Sequence, residues 1–140
     1  MLKIVKMISL SFMAAALCEQ TSLSISPYLL LNNIPVYQVS VSAYTNHPMC
    51  TGSSSGKMAS AVSITPDHYG KVIALSGDLS SKYKYGDQFN LLTNGHLRVV
   101  SFYDKMPRKH GLHVDLLLPS VKACQTFGRN PGVLIPLGKS

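Results

Sequence analysis

Residues 88–104, QFNLLTNGHLRVVSFYD, contain the pattern that decides the fold: two short apolar runs joined by a turn. The runs at 88–92 and 96–103 flank Thr93, Asn94 and Gly95. Asn-Gly between two apolar runs is a strong hairpin signal, because both residues accept the positive φ angles of a tight turn. We therefore predict two antiparallel strands, the second of which ends beside Asp104.

Short strands continue the pattern on both sides of the hairpin. Residues 36–44 alternate apolar and polar side chains, as a half-buried strand does. Further apolar runs of strand length are found at 58–64, 71–75, 113–118 and 133–137. Because strands and helices do not alternate along the chain, we predict a small all-β barrel over residues 36–140.

One short helix is predicted near the end of the chain. Ser120 is a suitable N-cap, and Val121, Cys124 and Phe127 follow at helical spacing. Gly128 can end the helix, because glycine accepts the left-handed conformation common at this position.

Residues 1–18 have the composition of a signal peptide. Lys3 and Lys6 precede an apolar run at 7–17, which is shorter than the roughly 20 residues of a spanning helix. We expect cleavage near Ala16, a linker at 19–35, and a secreted or periplasmic protein. A lipoprotein anchored through Cys18 is disfavoured, because the large Leu17 stands directly before that cysteine.

The chain is basic, with 13 Lys and Arg against 6 Asp and Glu, a formal net charge of +7. Setting aside Lys3 and Lys6 lowers this charge to +5. A positive exported domain suits an anionic polymer such as a cell wall, or a membrane surface. The sequence contains no basic helix or aromatic-rich sheet motif, so we expect no nucleic-acid partner.

The cysteines outside the leader form a candidate pair. Cys50 and Cys124 can form a disulfide in an oxidising compartment. They can equally be two small buried side chains, and the sequence leaves both interpretations open.

Two aspartates, Asp104 and Asp115, lie eleven residues apart in apolar, strand-like surroundings. Burial disfavours a charged carboxylate, and two carboxyl groups that approach one another separate in pKa, so that one stays protonated near neutral pH. Strand parity predicts that Asp104 shares a face with Phe102, and that Asp115 shares a face with Leu117. The intervening segment contains Pro107 and Gly111 and can turn the chain back, which would bring the strand ends together.

The pair is therefore a candidate acid/base site. In the alternative interpretation, Asp104 caps a turn and Asp115 pairs with Arg108 or Lys109. His110 and His113 stand three residues apart without a helix, a poor geometry for metal ligands, so we expect neither a metal nor a cofactor.

A series of short motifs resembles a known family. In chain order they are SAYT at 42–45, VIALS at 72–76, YGD at 85–87, Asp104, VDL at 114–116 and AxxxFGR at 123–129. This series resembles the three-aspartate domain of membrane-bound lytic transglycosylase A and of smaller exported wall enzymes, over roughly residues 39–137. The resemblance implies a six-stranded double-psi β-barrel with one or two short helices. Barwin and expansin barrels share an aspartate pair at similar spacing.

The resemblance also implies roles for single residues. Asp115 matches the family's third aspartate, the general acid/base, and Asp104 matches the second, which lies beside it. The first aspartate falls at about Ser76, where this chain has no carboxylate, and Asp78 is the nearest acid.

Five residues are expected to contact the substrate. They are Tyr44, Thr45, Ser76, Asp78 and His113.

The activity implied is cleavage of the bond between N-acetylmuramic acid and N-acetylglucosamine to a 1,6-anhydro product. One acid/base at the bond suffices, whereas ordinary glycosidases use two carboxyl groups. The alternatives are a non-catalytic barrel that binds wall polysaccharide and an exported interaction protein. We expect a monomer at the periphery of the cell envelope, with peptidoglycan or another wall glycan as its partner.

Overall fold

The barrel closes because each strand pairs on both sides. The computed structural model describes residues 32–51, 55–106 and 111–138. The strands of the described part are β1 (Tyr37–Tyr44), β2 (Val72–Leu75), β3 (Gln88–Thr93), β4 (His96–Lys105), β5 (His113–Leu117) and β6 (Asn130–Pro136). Their order is β1-β5-β2-β4-β3-β6, and β6 pairs again with β1.

The directions of the paired strands define the topology of this barrel. β1 runs parallel to β5, and β2 runs parallel to β4. The remaining four pairings are antiparallel. The barrel is thus a small all-β domain of the double-psi type, and the predicted fold class is confirmed.

The hairpin between β3 and β4 forms where the sequence predicts it. Thr93 pairs with His96, and the two residues between them have positive φ angles, 50° at Asn94 and 72° at Gly95. These are the angles that a two-residue turn between twisted strands requires.

The helices among the described residues are short. They are α1 (Pro48–Thr51), α2 (Gly77–Ser80) and α3 (Val121–Phe127), with a 3-10 turn at Pro66–His68. The predicted helix is α3: the Ser120 hydroxyl accepts a hydrogen bond from the Ala123 N–H at 3.1 Å, and Gly128 ends the helix with a φ of 67°. The apolar run at 58–64 forms none of the described barrel strands; within the described residues, a bridge between Lys57 and Ser63 is its strand-like pairing.

Apolar side chains form two clusters. The interior cluster consists of Val39, Val41, Ile73, Leu75, Leu79, Phe89, Leu91, Val100, Phe102, Val114, Leu116 and Leu134. The outer cluster consists of Tyr44, Met58, Val72, Ala74, Met106 and Leu117. Full burial of one such large side chain contributes roughly 1.5–3 kcal/mol, so both clusters stabilise the fold.

The predicted leader and most of the predicted linker, residues 1–31, lie outside the described residues. The signal peptide, its cleavage and the Cys18 alternative therefore stay predictions. Among the helices that the structure describes, none is long and apolar enough to cross a membrane.

Gly132 in β6 should not accept a side chain. A Cβ atom there would lie 2.6 Å from Val41 Cγ2 and 3.0 Å from the Leu92 carbonyl oxygen. We expect Gly132→Ala to lower the free energy of unfolding by about 1–3 kcal/mol, because a strand must shift to relieve the contact. Urea denaturation measures this loss. The control is Gln88→Ala at an exposed position of β3, which should change the free energy of unfolding by no more than about 0.5 kcal/mol. Equal losses in both variants would contradict a close contact at Gly132.

Candidate functional site

Four residues form one row across four neighbouring strands. Ser42 of β1 pairs with Asp115 of β5, Asp115 with Ala74 of β2, and Ala74 with Asp104 of β4. Adjacent strands lie roughly 4.8 Å apart, so the backbones of the two aspartates are about 10 Å apart. Only the small side chain of Ala74 stands between them. We call these four residues the acid row.

A β-bulge brings Asp104 into the acid row. The register between β2 and β4 passes from Ile73–Phe102 directly to Ala74–Asp104, which leaves Tyr103 as an extra residue. Because side chains alternate along a strand, one inserted residue reverses the side to which the next one points. The parity prediction that placed Asp104 on the face of Phe102 is therefore wrong. Phe102 is buried inside the barrel, and Asp104 faces outward.

Backbone groups fix the Asp104 carboxyl. Its Oδ1 atom accepts hydrogen bonds from the Ala59 N–H at 2.8 Å and from the Lys105 N–H at 2.9 Å. The Tyr103 carbonyl oxygen accepts a third bond, from the Ser60 N–H at 3.1 Å. The segment around residues 59–60 therefore holds the bulge in place.

Asp115 is half-buried and has a different partner. The Ser42 hydroxyl donates a hydrogen bond to its Oδ1 atom. Within residues 32–51, 55–106 and 111–138, no donor bonds the second carboxyl oxygen, Oδ2. Sequence reasoning missed the role of Ser42, because the strand alternation at 36–44 does not reveal which strand pairs with β1.

Tyr44 lies beneath the acid row. Its side chain is 8% exposed and belongs to the outer cluster, as does Ala74. Its hydroxyl group is buried and has no hydrogen bond of good geometry within the described residues, yet it lies close enough to the Asp104 carboxyl group to interact with it as a donor. Burial raises the pKa of Tyr44 far above its ordinary value, and the charge of Asp104, the hydrogen-bonding interaction with Asp104 and then the charge of Asp115 raise it further. The phenol is therefore neutral at physiological pH and close to both carboxyl groups.

Ser76 and Asp78 hold the turn that precedes β5. The Ser76 hydroxyl is fully buried, donates to the Gly111 carbonyl oxygen at 2.6 Å and accepts from the His113 N–H at 3.2 Å. The exposed Asp78 accepts from the Gly111 N–H at 2.6 Å. The structure thus gives both side chains a role in the backbone conformation. Their predicted contacts with substrate stay predictions.

The two other predicted contact residues differ in accessibility. Thr45 is 4% exposed. His113 is half-buried and lies two residues before Asp115 on the same face of β5. The structure therefore brings Asp104, Asp115 and Tyr44 together, with His113 beside them. The basic loop residues Arg108, Lys109 and His110 lie outside the described residues, as do the interpretations that involve them.

Cys50 and Cys124 are free thiols. Cys50 is exposed on α1, and Cys124 is half-buried on α3, which packs against β1. Burial raises the pKa of the Cys124 thiol, and the charges of Cys50 and then Asp115 raise it further. The two cysteines therefore lie within electrostatic reach of one another and of the acid row. The disulfide stays a prediction.

Comparisons with known proteins show the fold alone. No family model matches the chain, and neither does any curated protein. A mutant expansin of Clavibacter michiganensis in complex with cellohexaose aligns with a TM-score of 0.54 and 12% identity, over 76% of this chain and 52% of that chain. The apo expansin of the same organism aligns with a TM-score of 0.53, 15% identity and the same coverage, 76% and 52%.

A third likeness involves a protein of another kind. The Streptomyces papain inhibitor aligns with a TM-score of 0.50 and 14% identity, over 72% of this chain and 94% of that chain. This chain thus spans about half of the expansins and nearly all of the inhibitor.

The bonds at Asp104 predict a local stability effect. We expect Asp104→Ala to lower the free energy of unfolding by about 1–2 kcal/mol, because two N–H groups lose their acceptor. Hydrogen exchange of the Ala59 amide should become faster. Asp104→Asn keeps an acceptor oxygen and should lose less. Asp67→Ala, at an exposed acid of the 3-10 turn, is the control; unchanged exchange at Ala59 in Asp104→Ala would show that the bond is not formed.

The cysteine pair predicts an oxidised form. Incubation with oxidised glutathione should lower the mass of the protein by two hydrogen atoms, as the Cys50–Cys124 disulfide forms with release of two molecules of reduced glutathione. The closed loop should stabilise the fold by about 4 kcal/mol, because it restricts the unfolded chain. Intact-mass spectrometry and urea denaturation measure the two effects. Cys124→Ser is the control, and a wild-type protein that gains only mixed disulfides would contradict the prediction.

Proposed function

We propose that the acid row is the active site of an exported lytic transglycosylase that cleaves peptidoglycan. The proposal rests on one observation: the bulge at Tyr103 aligns Asp104 with Asp115 on the outer face of the barrel. A polymeric glycan reaches an acid only from outside a closed barrel. Both aspartates are half-buried there, so they are reachable and yet partly removed from water.

In this mechanism Asp115 is the acid/base. Its carboxyl proton passes to the glycosidic oxygen as the bond from the muramic acid C1 breaks. The carboxylate then takes the proton of the muramic acid 6-hydroxyl, whose oxygen bonds C1 and closes the anhydro ring. The bond from Ser42 orients Asp115 and leaves Oδ2 for the substrate. A carboxylate at Asp104, across Ala74, faces the positive charge that develops at C1.

Three further observations support a wall glycan as the ligand. The motif series resembles a family of wall-cleaving enzymes over nearly the whole barrel. An expansin of the same fold has been solved with cellohexaose, which supports a polysaccharide ligand for such a barrel. The formal net charge, which is +5 once Lys3 and Lys6 of the predicted leader are set aside, also suits an anionic wall polymer.

A second candidate is a barrel that binds wall glycan without cleaving it. The observation that favours it is the buried Ser76, which stands where the resemblance expects the family's first aspartate. The Ser76 hydroxyl bonds Gly111 and His113, so this position supplies no carboxyl group in addition to Asp104 and Asp115.

Digestion of isolated sacculi separates the candidates. We expect the purified protein to release anhydro-muropeptides, identified by mass spectrometry. We expect Asp115→Ala to lower the rate at least about a hundredfold, because the proton donor is lost. The control is Asp67→Ala, which removes an exposed acid on another element and should leave the rate unchanged.

Sedimentation with sacculi completes the test. Binding without release, equal in wild type and Asp115→Ala, would support the second candidate and reject the first. Absence of both binding and release would reject both candidates.

A further inference from the structure

The YGD motif at 85–87 has no part in the mechanism above, although its turn is bonded to β4. The Gly86 N–H donates to the Phe102 carbonyl oxygen at 2.8 Å, and the Phe102 N–H donates to the Asp87 carbonyl oxygen at 3.0 Å. Gly86 has a φ of 95°, a conformation that glycine adopts readily. Two bonds to one residue of β4 thus fix the turn that carries Tyr85.

The Tyr85 ring is an aromatic surface in an exposed position. Its side chain is 40% exposed, and the buried Phe102 ring packs against it with the two centroids 5.0 Å apart. The exposed Lys105 places its ammonium group 5.2 Å from the Tyr85 ring centroid. The protein therefore presents a supported aromatic ring and a cation side by side at its surface.

This pair adjoins the acid row. Lys105 directly follows Asp104, and its N–H donates to the Asp104 Oδ1 atom at 2.9 Å. Tyr103 forms a second connection: its side chain packs against the outer cluster, and its hydroxyl oxygen lies 3.9 Å from the position of a Cβ atom on Gly86. Because Tyr85 directly precedes Gly86, the surface from the acid row to the Tyr85 ring runs through Tyr103.

The two side chains suit two different parts of one ligand. The C–H groups of a sugar ring carry partial positive charge and complement the negative face of an aromatic ring. A cation–π contact at an exposed site is weak, whereas an ammonium group binds a carboxylate through charge-assisted hydrogen bonds. The Lys105 ammonium can therefore leave the ring for a carboxylate, which makes the ring available to the sugar. A neutral sugar would give the ammonium no such partner.

We propose that Tyr85 and Lys105 form a subsite for a carboxylate-bearing sugar, in which the sugar ring stacks on Tyr85 and the carboxylate binds Lys105. The inference rests on the proposed function in one respect, that the ligand is a wall glycan. In such a glycan the carboxylate belongs to the substituent of N-acetylmuramic acid, either the lactyl group or the peptide attached to it. The subsite thus distinguishes an acidic wall glycan from a neutral glycan beside the acid row.

The experiment compares peptide-free glycan strands of peptidoglycan with the same strands after conversion of their lactyl carboxylates to amides. Isothermal calorimetry is carried out in the Asp115→Ala background, so that the strands stay intact. We expect the acidic strands to bind about fivefold more tightly at low salt, with a smaller difference at high salt. Strands that keep their peptides carry the carboxylate on the peptide instead, so their dependence on Lys105 assigns its source.

Three variants test the two side chains separately. Lys105→Gln should abolish the preference for the carboxylate, because it removes the charge from an exposed side chain and keeps the backbone bond to Asp104. Tyr85→Ala should weaken the binding of acidic and amidated strands alike, by about tenfold. Tyr85→Phe keeps the ring and should bind both kinds of strand as the parent does.

Lys82→Gln is the matched control. The Lys82 ammonium lies 5.4 Å from the Tyr37 ring centroid, in the same kind of contact, but Tyr37 belongs to β1, which does not neighbour β4. The substitution removes one positive charge, as Lys105→Gln does. We expect it to leave the preference for the carboxylate unchanged.

The outcomes separate this inference from the proposed function. If Lys105→Gln changes the affinity for neither acidic nor peptide-bearing strands, the inference is overturned, even where sacculi release anhydro-muropeptides. An equal loss in Lys82→Gln overturns it too, because net charge alone would then explain the effect. A loss confined to Lys105→Gln in a protein that releases none supports the carboxylate contact and rejects only the transglycosylase.

Two further outcomes bear on the ring and on the ligand. Unchanged affinity in Tyr85→Ala overturns the stacking on Tyr85. If that variant fails to fold, Tyr85→Leu replaces it, because leucine keeps apolar contact with Phe102 and lacks an aromatic face. Absence of binding to every strand overturns the inference together with both glycan functions.

Discussion

The extra residue at Tyr103 is the constraint on which the site depends. Before Tyr103, the side chains of β4 alternate between the two faces of the sheet, and Phe102 faces the barrel interior. After Tyr103, Asp104 faces outward beside Ala74. A bulge interrupts the ladder and leaves backbone groups to be paired elsewhere. Here Ser60 donates to the Tyr103 carbonyl, and Ala59 donates to the Asp104 carboxyl. The segment that stabilises the bulge is therefore also the segment that orients the acid.

The segment at residues 58–60 also makes the outer face of the barrel partly apolar. A closed barrel fills its interior with one set of alternating side chains and leaves the other set to solvent. In this chain Met58 is 3% exposed, and it covers the outer face together with Met106. Water is thereby removed from the neighbourhood of Tyr44, which explains why a phenol at the end of a surface strand has a raised pKa. Both clusters stabilise the barrel, and the outer cluster also lowers the polarity around the acid row.

The parts of the fold that could be predicted are those set by local chemistry. Asn94 and Gly95 fix the hairpin by their own backbone preferences, and Ser120 begins α3 by bonding an N–H three residues on. The bulge could not be predicted, because alternation within β4 is regular and the insertion exists only relative to β2. For the same reason Asp115 could be proposed as an acid from its sequence context, whereas its bond to Ser42 required the parallel pairing of two strands distant in sequence.

The turn before β5 disfavours a carboxylate at the position of Ser76. An ionised carboxylate at this buried position would face the Gly111 carbonyl oxygen, to which the Ser76 hydroxyl now donates. Two acceptors cannot satisfy one another, so a carboxylate there would require a different turn before β5. The nearby acid, Asp78, instead bonds the Gly111 N–H from an exposed position. Because this turn also sets the start of β5, replacing it would disturb the register that aligns Asp115 with Ala74. The arrangement of the acid row, with Asp115 and Asp104 on either side of Ala74, is therefore tied to a hydroxyl and not a carboxylate at Ser76.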